Sequence, residues 1–418
     1  MPRLQHDTRE FLPGLVQWGL SLILIVSGLA SLPFLRSTSP LPVTTLLDVW
    51  IVGLIATIIF FRRVYTAVSL ILIGLYALTR VIPALITESP LFDFLQAYRW
   101  VLYLVAIAAA VGQKWTSVEG LKRLTFALIG MALAKSMLTW VLVGPGERPG
   151  LFLENNFELA MFCGLAVVIY PFLARSRPWL LAALGALAVL SGSRSGIVAF
   201  AVVVVFAVIQ IPTRRLLLRY LALVSFAGLA WAMGEIFASR VGVNGRIDRL
   251  NFFEVFLNEA HSWTPLEWLF GTTPITPLSL GACSRLSFYQ NLFASTGDGS
   301  CYSVILHAFV LRVVFDAGMV GLAFAFGGIL YFMRKGGVAW LSALTLTLNA
   351  LVNSLSVSGP NNPYVIVPII LAIVTSGAVG VHKRGRDRSA EPGASTTSGA
   401  GSGKQDSRRR AHLGELTA

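Results

Sequence analysis

The chain has 418 residues, of which 55% are hydrophobic and only 13% are charged, and its mean hydropathy is +0.72. Soluble domains carry roughly 25% charged residues, so this composition excludes a soluble globular protein. The formal net charge of +13 would suggest nucleic-acid binding in a soluble protein, but no basic-aromatic surface or helix-turn-helix pattern accompanies it. The charge is instead typical of the basic cytoplasmic loops of a membrane protein.

The first apolar run, Leu12–Phe34, follows a short basic stretch that contains Arg3 and Arg9. This order resembles a secretory signal peptide, but the run is long and the segment Gly28–Ser31 is a weak cleavage site. We therefore predict that the run is a retained first membrane span.

Apolar runs close to the ~20 residues that a helix needs to cross a bilayer recur along the whole chain. They predict an all-α fold, a polytopic transmembrane helix bundle of about 12 spans. The bundle occupies 1–381, a large periplasmic loop at 238–302 is inserted between spans nine and ten, and a disordered basic cytoplasmic tail follows at 382–418. The seventh span is short, and the tenth is long enough to be broken or preceded by a turn outside the membrane. The predicted spans are Leu12–Phe34, Leu41–Phe61, Val64–Ile86, Phe92–Gly112, Leu121–Val143, Phe157–Ala174, Trp179–Ser191, Gly196–Ile211, Leu216–Phe237, Ser303–Met333, Val338–Val357 and Pro363–Val381.

Lysine and arginine gather in one set of alternate loops, which the positive-inside rule places in the cytoplasm. An even number of spans puts both termini on the same side, in agreement with the basic residues that follow the last span. We therefore predict that both termini are cytoplasmic. The basic loop residues are Arg62, Arg63, Lys114, Lys122, Arg123, Arg175, Arg177, Arg214, Arg215, Arg219, Arg334 and Lys335.

The loop at 238–302 mixes Trp, Phe, Pro and Gly with charged residues, which predicts a folded cap. Cys283 lies inside this loop and Cys301 lies near its end. In an oxidising compartment these two could form a disulfide, and two isolated thiols are the alternative. Cys163 falls within a span and is interpreted as a packing residue.

The tail from Ser389 onward is rich in Ser, Gly, Ala and Thr, and it contains the basic cluster Arg408–Arg410. Such a composition predicts a disordered cytoplasmic segment. Two interpretations of this cluster stay open: it contacts anionic lipid, or it belongs to a solvated tail without a role.

Five cations lie inside predicted spans or at their outer ends, where a charge is costly and a functional role is the default interpretation. They are Arg80, Arg99, Lys135, Arg194 and Arg312. Pairing with Asp48, Asp93 or Asp316, or snorkelling to the surface, would explain any one of them. All five fall in the outer half of the membrane, however, and together they predict a positive pocket for an anionic headgroup such as a diphosphate.

Four segments between Gly144 and Gly321 carry recognisable patterns. The first runs from Arg148 through Gly150 to Asn155 and Asn156, just before a span, and the second is the turn Ser191–Gly196 around Arg194. The third contains Asn244, Arg246, Arg249 and the stretch Pro265–Gly271. The fourth starts at His307 and includes Asp316 and Gly318.

In order, spacing and placement these segments resemble the O-antigen ligase and polymerase superfamily of membrane glycosyltransferases. Two positions depart from the family pattern. The family commonly has Asn after the His, where this chain has Ala308, and often Glu before the Gly, where this chain has Asp316 and Ala317.

The resemblance implies a multi-pass protein of the bacterial inner membrane that transfers a glycan from undecaprenyl diphosphate to an acceptor sugar hydroxyl at the periplasmic face, without a metal or cofactor. His307 is the candidate base, and Arg194 and Arg246 are the candidates that hold the diphosphate. His261, the other outer-face histidine, is interpreted as structural. The implied partners are the lipid-linked glycan, an acceptor glycolipid, membrane lipids and other polysaccharide-assembly proteins, with no nucleic acid. The implied substrate-binding residues are Arg148, Asn155, Asn156, Arg249, Arg312, Arg99 and Arg80.

Three functions stay open. A repeat-unit polymerase of surface or exopolysaccharide biosynthesis is favoured slightly over an O-antigen ligase that attaches the glycan to a lipid A core, because of the departure after His307. A polysaccharide flippase or other transporter is the alternative from another class. No internal repeat of the kind common in transporters is visible, and the buried cations lie toward one face.

Overall fold

The structure is a computed structural model, and it describes residues 2–144, 147, 150–153, 155–211, 216–217, 219–220, 224, 228, 248–292 and 297–388. Within these residues the chain is helical, and β-type pairing is limited to one isolated bridge between Pro277 and Tyr302. The predicted all-α class is therefore confirmed for the described part. Five of its helices are long and apolar enough to cross a membrane.

The helices follow the predicted spans closely, except for the ninth span, most of which lies outside the described residues. Those with enough length and hydropathy to cross a membrane are α2, α3, α4, α5 and α12. The helices are α1 (Pro2–Ser31), α2 (Val43–Phe61), α3 (Ala67–Ile86), α4 (Leu91–Ala110), α5 (Val118–Leu142), α6 (Asn155–Ile169), α7 (Arg177–Ser191), α8 (Arg194–Ile209), α9 (Asp248–Glu259), α10 (Pro265–Phe270), α11 (Leu280–Arg285), α12 (Phe309–Lys335), α13 (Trp340–Ser354) and α14 (Pro363–Arg388).

Helix α4 lies inside the bundle and packs against α2, α3 and α12. The run Ala106–Ala110 near its end is fully buried, and small side chains of this kind allow helices to approach closely. Helix α3, by contrast, keeps Leu72, Leu75 and Leu85 exposed. An apolar outer surface of this extent is stable in contact with lipid rather than with water.

Hydrogen bonds bring the ends of α1 and α5 together and the ends of α2 and α4 together, as expected for helices that alternate in direction. At one end, Lys135 and Thr139 near the end of α5 donate to the carbonyls of Ser37 and Leu35, which follow α1. At the opposite end, the Gln113 side chain after α4 donates to the carbonyl of Arg63. We call the first end the cap end, because residues 248–292 and 297–308 lie there.

The cap is a helical subdomain made of α9, α10, α11 and short 3-10 turns. Its core contains Phe252, Phe256 and Leu286, and this core continues into Phe315 of α12. Cys283 and Cys301 form a disulfide across it. The described part of the predicted loop thus folds on the bundle, and Cys163 is buried within the bundle.

Two boundaries differ from the predicted ones, and the tenth span agrees with its prediction. Helix α1 begins at Pro2, ten residues before the apolar run, because helix formation does not require apolar side chains. The long tenth span is both preceded by a turn and broken: a 3-10 turn at Ser303–Leu306 comes before helix α12, which is interrupted at Gly318. Helix α14 continues to Arg388, so 382–388 is helical and not disordered. The chain separates into two units, Met1–Gly380 and Val381–Ala418.

Cysteine tagging tests the disulfide. In denatured protein without reductant, only Cys163 should react with a polyethylene-glycol maleimide, whereas all three cysteines should react after reduction. The control Cys283→Ser/Cys301→Ser should take one tag under both conditions, and it should lose about 3 kcal/mol of stability for a loop of this length. Three tags on unreduced wild-type protein would contradict the bonded pair.

Candidate active site at the cap end

The first two motif segments meet at Asn156, in the first turn of α6. Its side-chain oxygen accepts hydrogen bonds from the hydroxyls of Ser193 and Ser195, the latter at 3.0 Å. Gly192 ends α7 in the left-handed region, with a φ of 58°. Ser193 Oγ also accepts from the N–H of Gly196 and so caps α8. Residues 37 positions apart in the sequence are thereby joined.

Arg194 lies between these two serines as the first residue of α8, and its side chain is half-buried. The sequence predicted it at the outer end of the seventh span, but Gly192 already ends α7 and Arg194 starts the next helix. A helix N-terminus carries partial positive charge from its backbone N–H groups. The guanidinium adds to that charge, so the position favours an anion.

Glu158 organises the loop that precedes α6. Its buried carboxylate accepts hydrogen bonds from the backbone N–H groups of Leu151, Phe152 and Leu153, at 2.5 to 2.7 Å. Gly150 approaches so closely that a Cβ there would lie 2.7 Å from the Leu153 carbonyl. Glu158 was not among the predicted residues, although an acid inside a span is as costly as a cation and could have been found on that ground.

Lys135 ties two further segments to the same loop. Its ammonium donates to the carbonyl of Ser37 at 2.8 Å and to that of Gly150 at 2.7 Å. It also interacts electrostatically with Glu158. These contacts give Lys135 a structural role in holding the loops of the cap end together.

The third and fourth motif segments interlock through two glycines. Gly271, which follows α10, lies against the backbone of α12 at Asp316 and Ala317, and a Cβ there would overlap it. Gly318 lies against the backbone of Leu269 in the same way, with φ 66° and ψ −171°, a conformation available essentially to glycine alone. Close backbone packing therefore explains why both segments contain glycine.

The interruption at Gly318 leaves backbone carbonyls of α12 without their usual partners within the helix, and neighbouring groups bind them. The Phe315 carbonyl accepts from the backbone N–H of Thr272, at 2.8 Å, and from its hydroxyl. The Asp316 carbonyl accepts from Arg80 at 3.2 Å and from the Tyr98 hydroxyl at 3.3 Å. The cap, α3 and α4 are thus all joined to the same turn of α12.

Three of the predicted cations form one group around this turn, which we call the arginine cluster: Arg80, Arg99 and Arg312. Arg99 makes a salt bridge of 3.4 Å with Asp48, and Arg312 interacts electrostatically with Asp316 and Arg99. The Asp316 carboxylate accepts a hydrogen bond of 2.6 Å from the Ser303 hydroxyl.

Asn361 opens one turn of α4 beside the arginine cluster. Its side chain accepts from the Trp100 N–H at 2.8 Å and donates to the Gln96 carbonyl at 2.7 Å. These are the two groups that a regular α-helix bonds to each other. The insertion was not predicted, because an asparagine next to a proline in a turn gives no signal of a contact 261 residues away.

His307 precedes α12 with a φ of 53°, an uncommon backbone conformation for a residue other than glycine. Its ring lies near the rings of Phe252 and Tyr289, with centroid distances of 6.1 and 6.3 Å. The next residues are held by a hydrogen bond from the Phe309 N–H to the Val357 carbonyl. Strained backbone of this kind is typical of functional sites.

The structure therefore brings predicted site residues together in two groups, Asn156 with Arg194 at α6 and α8, and the arginine cluster at α3, α4 and α12. His307 lies in the turn before α12, beside Phe252 and Tyr289 of the cap. Helix α13 packs against α6, α8 and α12 and so links the two groups. The predicted residues whose positions or side chains lie outside the described part are Arg148, Asn155, Arg246 and Arg249.

Two glycine variants of α12 test the interlock. The Cβ of Gly318→Ala would overlap the Leu269 backbone. Overpacking and the disfavoured backbone conformation should each lower the free energy of unfolding by about 1–3 kcal/mol. Gly327→Ala is the matched control, because nothing lies within 4 Å of its added Cβ, and it should be neutral or stabilising by up to about 1 kcal/mol. The measurement is the melting temperature of purified protein by fluorescence-detected size exclusion. Equal melting temperatures would contradict the interlock.

Comparison with known proteins found no relative. No protein-family model, no curated protein and no solved structure matches this chain. The resemblance of its four segments to the O-antigen ligase and polymerase superfamily therefore stays a prediction from the sequence.

Proposed function

We propose that this chain is a membrane glycosyltransferase that moves a glycan from undecaprenyl diphosphate to an acceptor sugar hydroxyl. Its active site is at the cap end, which in this proposal faces the periplasm of a bacterial cell, with both termini in the cytoplasm. The acceptor is a second lipid-linked repeat unit, so the enzyme is a polymerase. A ligase that uses a lipid A core as acceptor has the same donor chemistry.

The observation that carries the proposal is the pairing of the motif segments. Asn156 of the first segment binds the serines on either side of Arg194 in the second. Gly271 of the third segment packs on the turn at Gly318 of the fourth. Four segments that suggested one enzyme family thus meet in two pairs at one end of the bundle, as the parts of a single active site would.

Arg194 would neutralise the leaving group. When the bond from the anomeric carbon to the diphosphate breaks, negative charge develops on the diphosphate oxygens. A guanidinium donates two parallel hydrogen bonds to such oxygens, and stabilisation of this kind is strongest away from bulk water. The half-buried position of Arg194 at the start of α8 suits this role.

His307 would take the proton of the acceptor hydroxyl as its oxygen forms the new bond to the anomeric carbon. Histidine changes charge near neutral pH, as a base in this step must. Products are the extended glycan and undecaprenyl diphosphate, so the bond formed and the bond broken balance without an oxidant or metal. The strained backbone of His307 and the aromatic rings beside it favour a held, oriented imidazole.

A flippase for lipid-linked glycans is the second candidate. Interrupted helices are frequent at the substrate sites of transporters, and α12 is interrupted at Gly318. Proteoliposomes distinguish the two functions: a flippase changes the side on which the lipid-linked glycan lies, whereas a glycosyltransferase changes the length or attachment of the glycan. Offering both a lipid-linked repeat and a lipid A core separates polymerase from ligase.

The variant Arg194→Ala should lower the rate of glycan transfer by about 10²–10³, as for loss of one oxyanion-stabilising group. The transfer rate of Arg194→Lys should lie between the rates of Arg194→Ala and wild-type protein, because Lys keeps the charge but not the paired donors. Arg285→Ala is the control, since this arginine makes an exposed ion pair with Glu254 in the cap. If Arg194→Ala transfers glycan as fast as Arg285→Ala, then Arg194 is not part of the active site.

The variant His307→Asn removes the imidazole but keeps the backbone conformation, because Asn tolerates a positive φ. Folding should be preserved, while kcat should fall by about 10²–10⁴ with loss of the base. Purified variants would be compared by melting temperature and by transfer rate in proteoliposomes. An unchanged rate in folded His307→Asn protein would exclude His307 as the base.

A further inference from the structure

A cavity of about 290 Å³ lies between α2, α3 and α4 at the cap end. Its polar lining consists of Arg80, Arg99, Asp48 and the Tyr98 side chain, and the rest is apolar. At 1.5 Å per residue, the three charged groups lie roughly 8 to 12 Å from the ends of their helices. The cavity therefore lies along the sides of these helices, within the apolar zone of the bundle, and not at the helix ends.

The charges around this cavity do not balance. Among the side chains that line the cavity, Arg80 and Arg99 carry positive charge and Asp48 carries negative charge. Arg80 Nε is also a buried donor without a hydrogen-bond partner, and behind the cavity two nitrogens of Arg312 and one oxygen of Asp316 are unsatisfied as well. An uncompensated charge in an apolar environment is costly, so the cluster favours an additional anion.

The wall of the cavity faces lipid. Leu95 and Leu102 of α4 line it and are 56% and 38% exposed. On the neighbouring helix α3, Leu78 and Ile82 are about half exposed as well. An anion that enters from this side arrives with an apolar chain attached, because only a lipid is present there.

We propose that this cavity binds the phosphate group of an anionic lipid. Arg99 and Arg80 hold the phosphate, and the chain of the lipid lies along the leucines of α3 and α4. Arginine suits this role because its donors match phosphate oxygens in pairs. Basic pockets between membrane helices recognise lipid headgroups in this way.

The site also has a structural consequence. Arg80 Nη1 donates to the carbonyls of Phe270 at the end of α10 and Asp316 in α12. A phosphate bound to the remaining donors of Arg80 would hold that side chain in place. Lipid binding would then stabilise the junction between the cap and the interrupted helix. Neither Arg194 nor His307 lines this cavity, and the proposal stands whether or not the chain is a glycosyltransferase.

Opposite changes at one ion pair test the proposal. Arg99→Gln removes a donor and the excess charge, so lipid affinity should fall at least about tenfold, as for one charge-assisted hydrogen bond. Asp48→Asn frees Arg99 and raises the excess charge, so affinity should rise. Ala77→Met fills the cavity and should weaken binding without a change of charge. Lys122→Gln, at the opposite end in an exposed pair with Glu119, should leave affinity unchanged.

The probes are phosphatidylglycerol, undecaprenyl phosphate and inorganic phosphate, added to full-length protein in detergent and followed by the shift in melting temperature. The site is supported if either lipid binds and the four variants change its affinity as stated. The lipid that binds more tightly identifies which class supplies the phosphate group. Inorganic phosphate should bind at least about tenfold more weakly, since it lacks the chain. The proposal is overturned if wild-type protein binds neither lipid, if Arg99→Gln and Asp48→Asn change affinity in the same direction, or if inorganic phosphate binds as tightly.

Discussion

Backbone carbonyls outside regular helical hydrogen bonding hold two cations of this protein, Lys135 and Arg80. Lys135 binds two carbonyls in loops, and Arg80 binds two more at the end of α10 and at the interruption of α12. In an apolar bundle a cation needs such partners, because water cannot supply them. The interruption at Gly318 and the loops of the cap end are therefore conditions for the charges that make any chemistry there feasible.

This constraint also explains why the site lies at one end. The cap reaches the bundle at Gly271, where its backbone contacts α12 directly, and the same turn binds α3 and α4 through Arg80 and Tyr98. On the other side of α13, Asn156 fixes the turn that presents Arg194. Both groups depend on close backbone packing more than on apolar burial, and the proposed transfer from a lipid diphosphate would require the fixed geometry that such packing gives.

Hydropathy was sufficient to predict the helices, because lipid-facing α2 and α3 are apolar over the length of a span. The cost of buried charge was sufficient to select Arg80, Arg99 and Arg312, although not to show that they surround one turn of α12. Contacts between distant segments could not be predicted. Asn361, inserted into α4, has no neighbour in sequence that indicates its partner. Helix ends were misjudged at Pro2 and Arg388, where charged residues continue a helix beyond its apolar part.

The central claim is that the cap end binds the diphosphate of a lipid-linked glycan beside Arg194. Electron cryomicroscopy of the protein in nanodiscs with a non-transferable undecaprenyl-diphosphate glycan measures this directly. The account predicts diphosphate density within hydrogen-bonding distance of Arg194, with the first sugar directed toward His307. Density for the diphosphate at the opposite end of the bundle, or at the cap end but without contact to Arg194, would contradict it.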